Sequence, residues 1–385
     1  MAAAIAAGLC KPGQEVRALP AYLRRPAAGL SGRAVALDVG GTHMRAAEVE
    51  LAAGSARLVS AIRENGLMRA AAKRDFGRDE FFAAQAELIA GVSAERDLNV
   101  GYCFSYPATI TPEREAVLIA WTKGIRISGV EGQAVGALLR DALHRRGKRT
   151  HAIPVLNDTV ASLLAGAALA PELDHAIGVI VGTGTNMAAF FPVRAISKLG
   201  AVAGWRAHEM MAVNLESGDY TPRDILTPWD EALDASLPPE ERNRQRFEKA
   251  VSGVYLPPLL RQVAGRDASA KAGFDPDDPK VHAGTVAALR DHPVLGEAAT
   301  LLIDRSADLV AAGLAAVTGA LGEPSRTGVL VEGALFHKTP GYAARVAERL
   351  RQLAPHTEAV FIAGDRGGVP ANMLGAASAA LTPSP

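Results

Sequence analysis

The feature that most constrains this chain is a pair of chemically alike turns placed far apart. The first lies in Val35-Ala-Leu-Asp38-Val-Gly40-Gly41-Thr42-His43-Met44-Arg45, the second in Ile177-Gly-Val-Ile-Val181-Gly182-Thr183-Gly184-Thr185-Asn186. Each is an apolar run of strand length that breaks into glycines and threonines before apolar residues resume. Glycine lets the backbone approach an anion closely, threonine adds hydroxyl donors, and successive N–H groups form a nest for phosphate oxygens. Two such turns imply a nucleotide phosphate chain clamped between two lobes, and therefore phosphoryl transfer. A hairpin alone would explain the glycines of either turn. It does not explain Asp38 and Arg45 flanking the first. The second turn contains G-x-G, but Met187 stands where a dinucleotide fingerprint has its third glycine, and no Gly-Lys-Ser/Thr ending of a P-loop occurs.

A chain of 385 residues suits two domains better than one core. Lys and Arg number 41, as do Asp and Glu, so no global basic field draws the chain to nucleic acid or an anionic membrane. Cys10 and Cys103 are the only cysteines, which argues against a disulfide framework or a cysteine zinc site and predicts a reduced, cytoplasmic protein. The apolar start Met1–Cys10 lacks the positive region of a signal peptide and reads as a frayed helix or arm.

Along the chain, Leu19-Pro20-Ala21-Tyr22-Leu23 belongs to a short helix and Pro-containing linker. Strands and a turn follow from Ala34, then a helix around Asp79–Glu95. Asn99–Ser105 and Ala116–Trp121 read as strands, Gly132–His144 as a helix, and Ile153–Leu156 as a strand leading into an Ala/Leu-rich helix. Pro222–Arg246, charged and Pro-rich, predicts an irregular excursion. Phe247–Val263, Pro293–Leu321 and Pro340–Leu353 read as helices, and Gly328–Gly333 as a strand reaching a glycine. Strand and helix alternate in both halves, so the fold class is α/β with sheets at the centre of each lobe. Comparable strand-to-polar turns in both halves suggest a duplicated core without a fixed period.

Single residues are ambiguous. Asp158 past a strand end suits a general base or an ordinary helix cap, and Asn157 beside it suits turn chemistry. Lys123 is locally a surface lysine, and Glu248 a solvated helix carboxylate. His43, His151, His175 and His208 show no metal-ligand spacing.

Their order in the chain decides between these readings. Leu19-Pro-Ala-Tyr, Leu37-Asp-Val-Gly-Gly-Thr42, Phe104-Ser-Tyr-Pro107, Trp121-Thr-Lys-Gly124 and Leu156-Asn-Asp-Thr159 come first. Val181-Gly-Thr-Gly-Thr-Asn186, Asn214-Leu-Glu216, Phe247-Glu-Lys249, Val251-Ser-Gly-Val-Tyr255 and Val331-Glu-Gly333 follow. Together they resemble the hexokinase family of the actin-like ATPase fold, from about Leu19 to the C-terminus, as a compact bacterial-type member. Three positions depart from the family pattern. His43 stands where Asn is usual, Glu332-Gly333-Ala334 stands where Asp-Gly-Ser is usual, and the connection after Glu216 is shorter.

The resemblance implies two lobes: an N-terminal helix and linker over 1–32, a small domain over 33–157 joined by a C-terminal helix over 371–385, and a large domain over 158–370. It implies phosphorylation of a hexose, glucose foremost and fructose or mannose second, at its 6-hydroxyl by ATP with Mg²⁺. Asp158 would act as base and Lys123 as the cation near the acceptor. Ser105, Thr122, Lys123, Asn157, Asp158, Asn186, Glu216 and Glu248 would hold the sugar. Asp38 would serve the metal, while Gly40, Gly41, Thr42, Arg45, Gly182, Thr183, Gly184 and Gly333 would serve the nucleotide. The protein would be a monomer or homodimer. A silent sugar sensor would have lost one of these groups, and an actin-like or chaperone-like ATPase has no use for Trp-Thr-Lys-Gly and Phe-Glu-Lys.

Overall fold

The computed structural model describes residues 1–122 and 124–384. The chain builds two six-stranded sheets whose strands repeat one order. In the first, Gly32–Val39 and Met44–Ala52 form an antiparallel hairpin. Ser55–Leu58 and Arg63–Asn65 pair with its second strand, while Val100–Phe104 and then Val155–Leu156 add in parallel beyond its first. In the second sheet the hairpin is His175–Val181 with Thr185–Pro192. Met210–Asn214 extends one side, and the parallel strands Arg326–Glu332 and Glu358–Ile362 extend the other. The repetition is thus one of topology. Each glycine turn closes the central hairpin of its own sheet.

The helix that follows each sheet's last strand packs on the other sheet. Asp158–Leu169 follows Val155–Leu156 and lies against the second hairpin, whereas Ala371–Leu381 lies against Gly32–Val39 and Val100–Phe104. The two helices also cross each other, and only small residues allow so close an approach. A Cβ on Gly375 would stand 2.0 Å from the Ala161 carbonyl oxygen, and one on Gly101 1.8 Å from that of Ala376. Buried Ala161, Leu163, Ala165, Leu374 and Ala377 fill this middle layer. Separate apolar clusters lie on the outer faces of the two sheets. Among the described residues no helix is long and apolar enough to cross a membrane.

Some expectations need correction. Leu19–Arg24 is an edge strand of the second sheet, paired with Met210–Asn214, and not a linker. Its register slips between Pro20 and Arg24, and Tyr22 takes a positive φ, so the alternation that marks a strand is interrupted. An edge is where Pro is tolerated. The Ala2–Cys10 helix is docked rather than frayed: Ile5 and Leu9 are buried, and the Lys198 ammonium donates to the carbonyls of Gly8, Arg17 and Ala18. Within the expected irregular excursion, Pro228–Ser236 is a helix with a capping box, Thr227 exchanging bonds with Asp230. The single helix expected over Phe247–Val263 is two, Arg246–Val251 and Leu256–Ala264.

Candidate active site

Parallel strands end together on one side of a sheet, and groups just past those ends face a common space. Here Gly32–Val39, Val100–Phe104 and Val155–Leu156 are neighbours, so Asp38, Ser105 and Asn157-Asp158 emerge side by side. The Ser105 amide donates to the Val39 carbonyl at 3.1 Å, binding two of these ends together. Burial, then the carboxylates of Asp38 and Asp158, push the Cys103 thiol well above its ordinary value, so both acids act on this buried sulfur.

Asn157, and not Asp158, caps the following helix. Asn157 has extended backbone angles and its side-chain oxygen accepts from the Thr159 amide at 2.8 Å. Asp158 is the first helical residue; its Oδ1 accepts from the Thr159 amide at 2.7 Å and from the Thr159 hydroxyl at 3.3 Å. The carboxylate is therefore held in one orientation at a helix start, where the dipole favours its charge.

In the first turn, antiparallel register sets Asp38 opposite Arg45, and the guanidinium meets the carboxylate at 2.5 Å. Asp38 is almost wholly buried, so this pairing offsets its desolvation. The Gly40 amide donates to the His43 carbonyl at 2.9 Å, closing the turn around Gly41 and Thr42, and the Tyr106 hydroxyl donates to the Gly40 carbonyl at 2.9 Å. Tyr106 lies edge-on to Trp121 at 4.8 Å between ring centroids, and Phe104 also meets Trp121. The Trp121 indole N–H donates to the Ile127 carbonyl. Thr122, exposed, thus starts from a segment locked beside Ser105. Lys123 lies outside the described residues.

The second turn is built from backbone. Gly182 donates to the Gly184 carbonyl at 3.0 Å, and Gly253 donates to the Gly182 carbonyl at 2.7 Å. This bond explains why the expected long helix breaks at Ser252: the chain turns aside to buttress the glycines. Thr183 is exposed at the tip. Gly333, with φ 121°, abuts the same turn; a Cβ there would stand 2.2 Å from the Val181 carbonyl oxygen. Gly184 lies under the Glu248 carboxylate, where a Cβ would stand 2.6 Å from Oε2 and displace that side chain.

Glu248 Oε2 accepts from the Thr185 amide at 2.9 Å and its Oε1 from the Gln245 side chain at 3.0 Å. The neighbouring Lys249 is buried and serves structure, its ammonium 2.6 Å from Asp234 Oδ1. Burial alone would raise Asp234, but Lys249 and the Asn243 amide overcome it and hold the carboxyl below its ordinary value. Asn186 spends its amide oxygen on the backbone of Met187 and Ser217 and donates to Asn214 at 2.7 Å; Asn214 in turn donates to Glu216 at 2.7 Å. The relay fixes Glu216, which sits at a left-handed φ of 53°. Asn214 is the partner that sequence reading left out of the site. It faces Asn186 only because Thr185–Pro192 and Met210–Asn214 are adjacent antiparallel strands.

The two halves face each other. Burial raises Glu216, and Asp158 is among the charges acting on it; burial also raises Glu332, with Asp38 and Arg45 among its charged neighbours. Every expected site residue that is described thus lies on a strand end, a hairpin turn or a short segment packed on one.

Comparison with known proteins fits this geometry. Hexokinase family models match residues 1–168 and, for the second half, 176–283 and 280–382. The chain belongs to the hexokinase family. Mouse Hexokinase-1 is 30% identical over 92% of the chain, and rice Hexokinase-7 is 29% identical over 98% of the chain and 92% of its own length. The chain spans only 40% of the mouse protein's length. A solved hexokinase from Schistosoma mansoni, complexed with glucose, superposes with a TM-score of 0.76 at 25% identity, covering 99% of this chain and 93% of that one. The fold is accordingly that of the actin-like ATPases, as the resemblance of the ordered motifs implied.

Proposed function

We propose that this chain transfers a phosphoryl group from ATP to the 6-hydroxyl of a hexose, glucose being the favoured acceptor. The observation that carries the reading is the convergence of an oriented Asp158 with two hairpin turns and with the Glu216 and Glu248 carboxylates. A hexose presents hydroxyls that each donate and accept, which carboxylates and amides match. Glu216, Glu248, Asn157, Ser105 and Thr122 would hold the ring, with Asn186 acting through Asn214. Such a set rejects analogues lacking a hydroxyl, because its own polar groups would be left unpaired.

Asp158 takes the proton from the 6-hydroxyl as that oxygen attacks. Lys123 would stabilise charge at the transferred group. Gly40, Gly41, Thr42 and Arg45 from one sheet, and Gly182, Thr183 and Gly184 from the other, would hold phosphate oxygens through amides, hydroxyls and one guanidinium. Gly333 would lie under the nucleoside.

The residues fit ATP with Mg²⁺. The second turn and Gly333 pack backbone against backbone with no room for a side chain between them, so this strand end is presented as main chain. Among the described residues no group of His, Cys, Asp or Glu forms an all-protein metal cage. Mg²⁺ keeps water and leans on one or two carboxylates plus phosphates, which Asp38 alone can supply. The ion would neutralise charge on the phosphates.

The lobes would divide at Asn157-Asp158, and the reaction would proceed in the cytoplasm. The test is release of ADP, coupled to an indicator reaction, over a panel of hexoses and deoxyhexoses. Turnover with glucose, fructose and mannose but not with 6-deoxyglucose is expected. Sugar binding without turnover of any sugar would replace this reading with that of a regulatory sugar-binding protein.

A further inference from the structure

Remote from the glycine turns, the opposite ends of strands Val100–Phe104 and Val155–Leu156 open onto a cavity of about 750 Å³. Cavities of roughly 300–1,000 Å³ are those that accept small organic ligands. Its wall comes from His144, Gly147, Lys148, Arg149, Thr150 and His151 and from the facing Arg96, Asp97, Leu98 and Asn99. The first segment leaves the Val135–Arg145 helix through Gly147, at a φ of 75°. Amides of Arg146, Gly147 and Lys148 take the carbonyls of Leu143 and His144. Arg96, Lys148 and Arg149 supply the lasting positive charge of the lining, with His144 and His151 beside them.

The charge there is one-sided. Asp97 is the lone carboxylate of the wall, and the Arg149 guanidinium already holds it at 2.5 Å. Lys148 is fixed by donating to the carbonyls of Ser93 and Glu95. Arg96, His144 and His151 are exposed and make no ion pair among the described residues. A concave surface lined by one sign of charge concentrates the potential, whereas ordinary surface cations stand on convex ground among acids. Thr150 contributes to the wall while its hydroxyl is turned into the protein, so the polar groups presented to the groove are the cationic ones.

We propose that this cavity is a binding site for a small phosphate-bearing anion, separate from the active site. Arg96 and His151 would meet the phosphate oxygens, and Lys148 and Arg149 would supply the surrounding positive field. A planar guanidinium matches phosphate with paired bonds, which favours phosphate over a monovalent anion.

Inorganic pyrophosphate serves as the probe, titrated calorimetrically into the full chain at physiological salt without divalent cation. A binding event is expected that Arg96→Ser combined with His151→Ser weakens about tenfold or more, since charge-assisted bonds are lost. Arg45→Ala in the first turn should leave this event in place. The Arg96→Ser/His151→Ser variant should turn over glucose normally when pyrophosphate is absent. Equal affinity in wild type and the double variant would overturn the proposal. So would loss of binding on Arg45→Ala alone, which would put the anion on the glycine turns, or no binding at all at millimolar pyrophosphate.

Discussion

At Asp158 two physical roles meet in one side chain, and the structure separates them. The cap belongs to Asn157, so removing the charge of Asp158 leaves the helix start intact. Asp158→Asn is nearly isosteric and its amide oxygen still accepts from Thr159. We expect kcat to fall on the order of 10²- to 10⁴-fold, the usual worth of a positioned base, while glucose binding measured by calorimetry persists. Near wild-type turnover would show that Asp158 is only part of the helix start. Glu216 permits a pH prediction. Burial raises its pKa above 4.5, so the folded state favours the neutral acid. The stability it contributes is present below the unfolded value and lost as pH rises through the folded one. Glu216→Gln therefore raises the melting temperature at neutral pH, and the gain shrinks as pH falls toward 4.5. The same variant weakens sugar binding. A gain independent of pH would mean that Glu216 is not the group responsible.

Among the elements, the crossing of Asp158–Leu169 with Ala371–Leu381 has the least room. Gly375→Ala would press a methyl group onto the Ala161 backbone, which cannot rotate away. Overpacking of this kind costs about 1–3 kcal/mol, and a matching loss in urea-unfolding free energy is expected. Unchanged stability would show that the helices slide apart freely. The short helix Ala334–Lys338 begins where the family pattern has a serine. A hydroxyl contact to the nucleoside is worth about 0.5–1.5 kcal/mol, so Ala334→Ser should lower the KM for ATP several-fold and leave that for sugar unchanged. Flat nucleotide kinetics would remove this strand end from the nucleotide site. The elements also show what was legible beforehand. Both hairpins, the Arg78–Val92 helix and the Val100–Phe104 strand follow from periodicity and turn residues. The edge strand at Leu19–Arg24 was hidden by its bulge. The Pro228–Ser236 helix was hidden in charged, Pro-rich sequence, although Thr227 and Asp230 carried its capping signal. The break at Ser252 and the Asn186–Asn214–Glu216 relay depend on contacts between distant segments, which no local pattern reports.

For the whole molecule, the swapped helices make the link between the sheets a narrow, small-residue layer, with the candidate active site opening beside it. Around that site acids face one another: Asp158 acts on Glu216, and Asp38 on Glu332. Phosphoryl transfer to a sugar also requires that water be kept from the phosphate, because water is itself an acceptor. Sugar binding should therefore draw the lobes together, turning about the chain crossing at Asp158, and complete the acceptor site only then. Small-angle scattering at saturating glucose should give a smaller radius of gyration than without sugar. Glu216→Gln should reduce the sugar concentration dependence but not the closed radius itself, since it alters affinity and not the hinge. Gly375→Ala acts on the hinge layer and should change the radius with and without glucose. An identical scattering profile with and without glucose in the wild type would mean that the lobes are already closed, and that water is excluded by a rigid site.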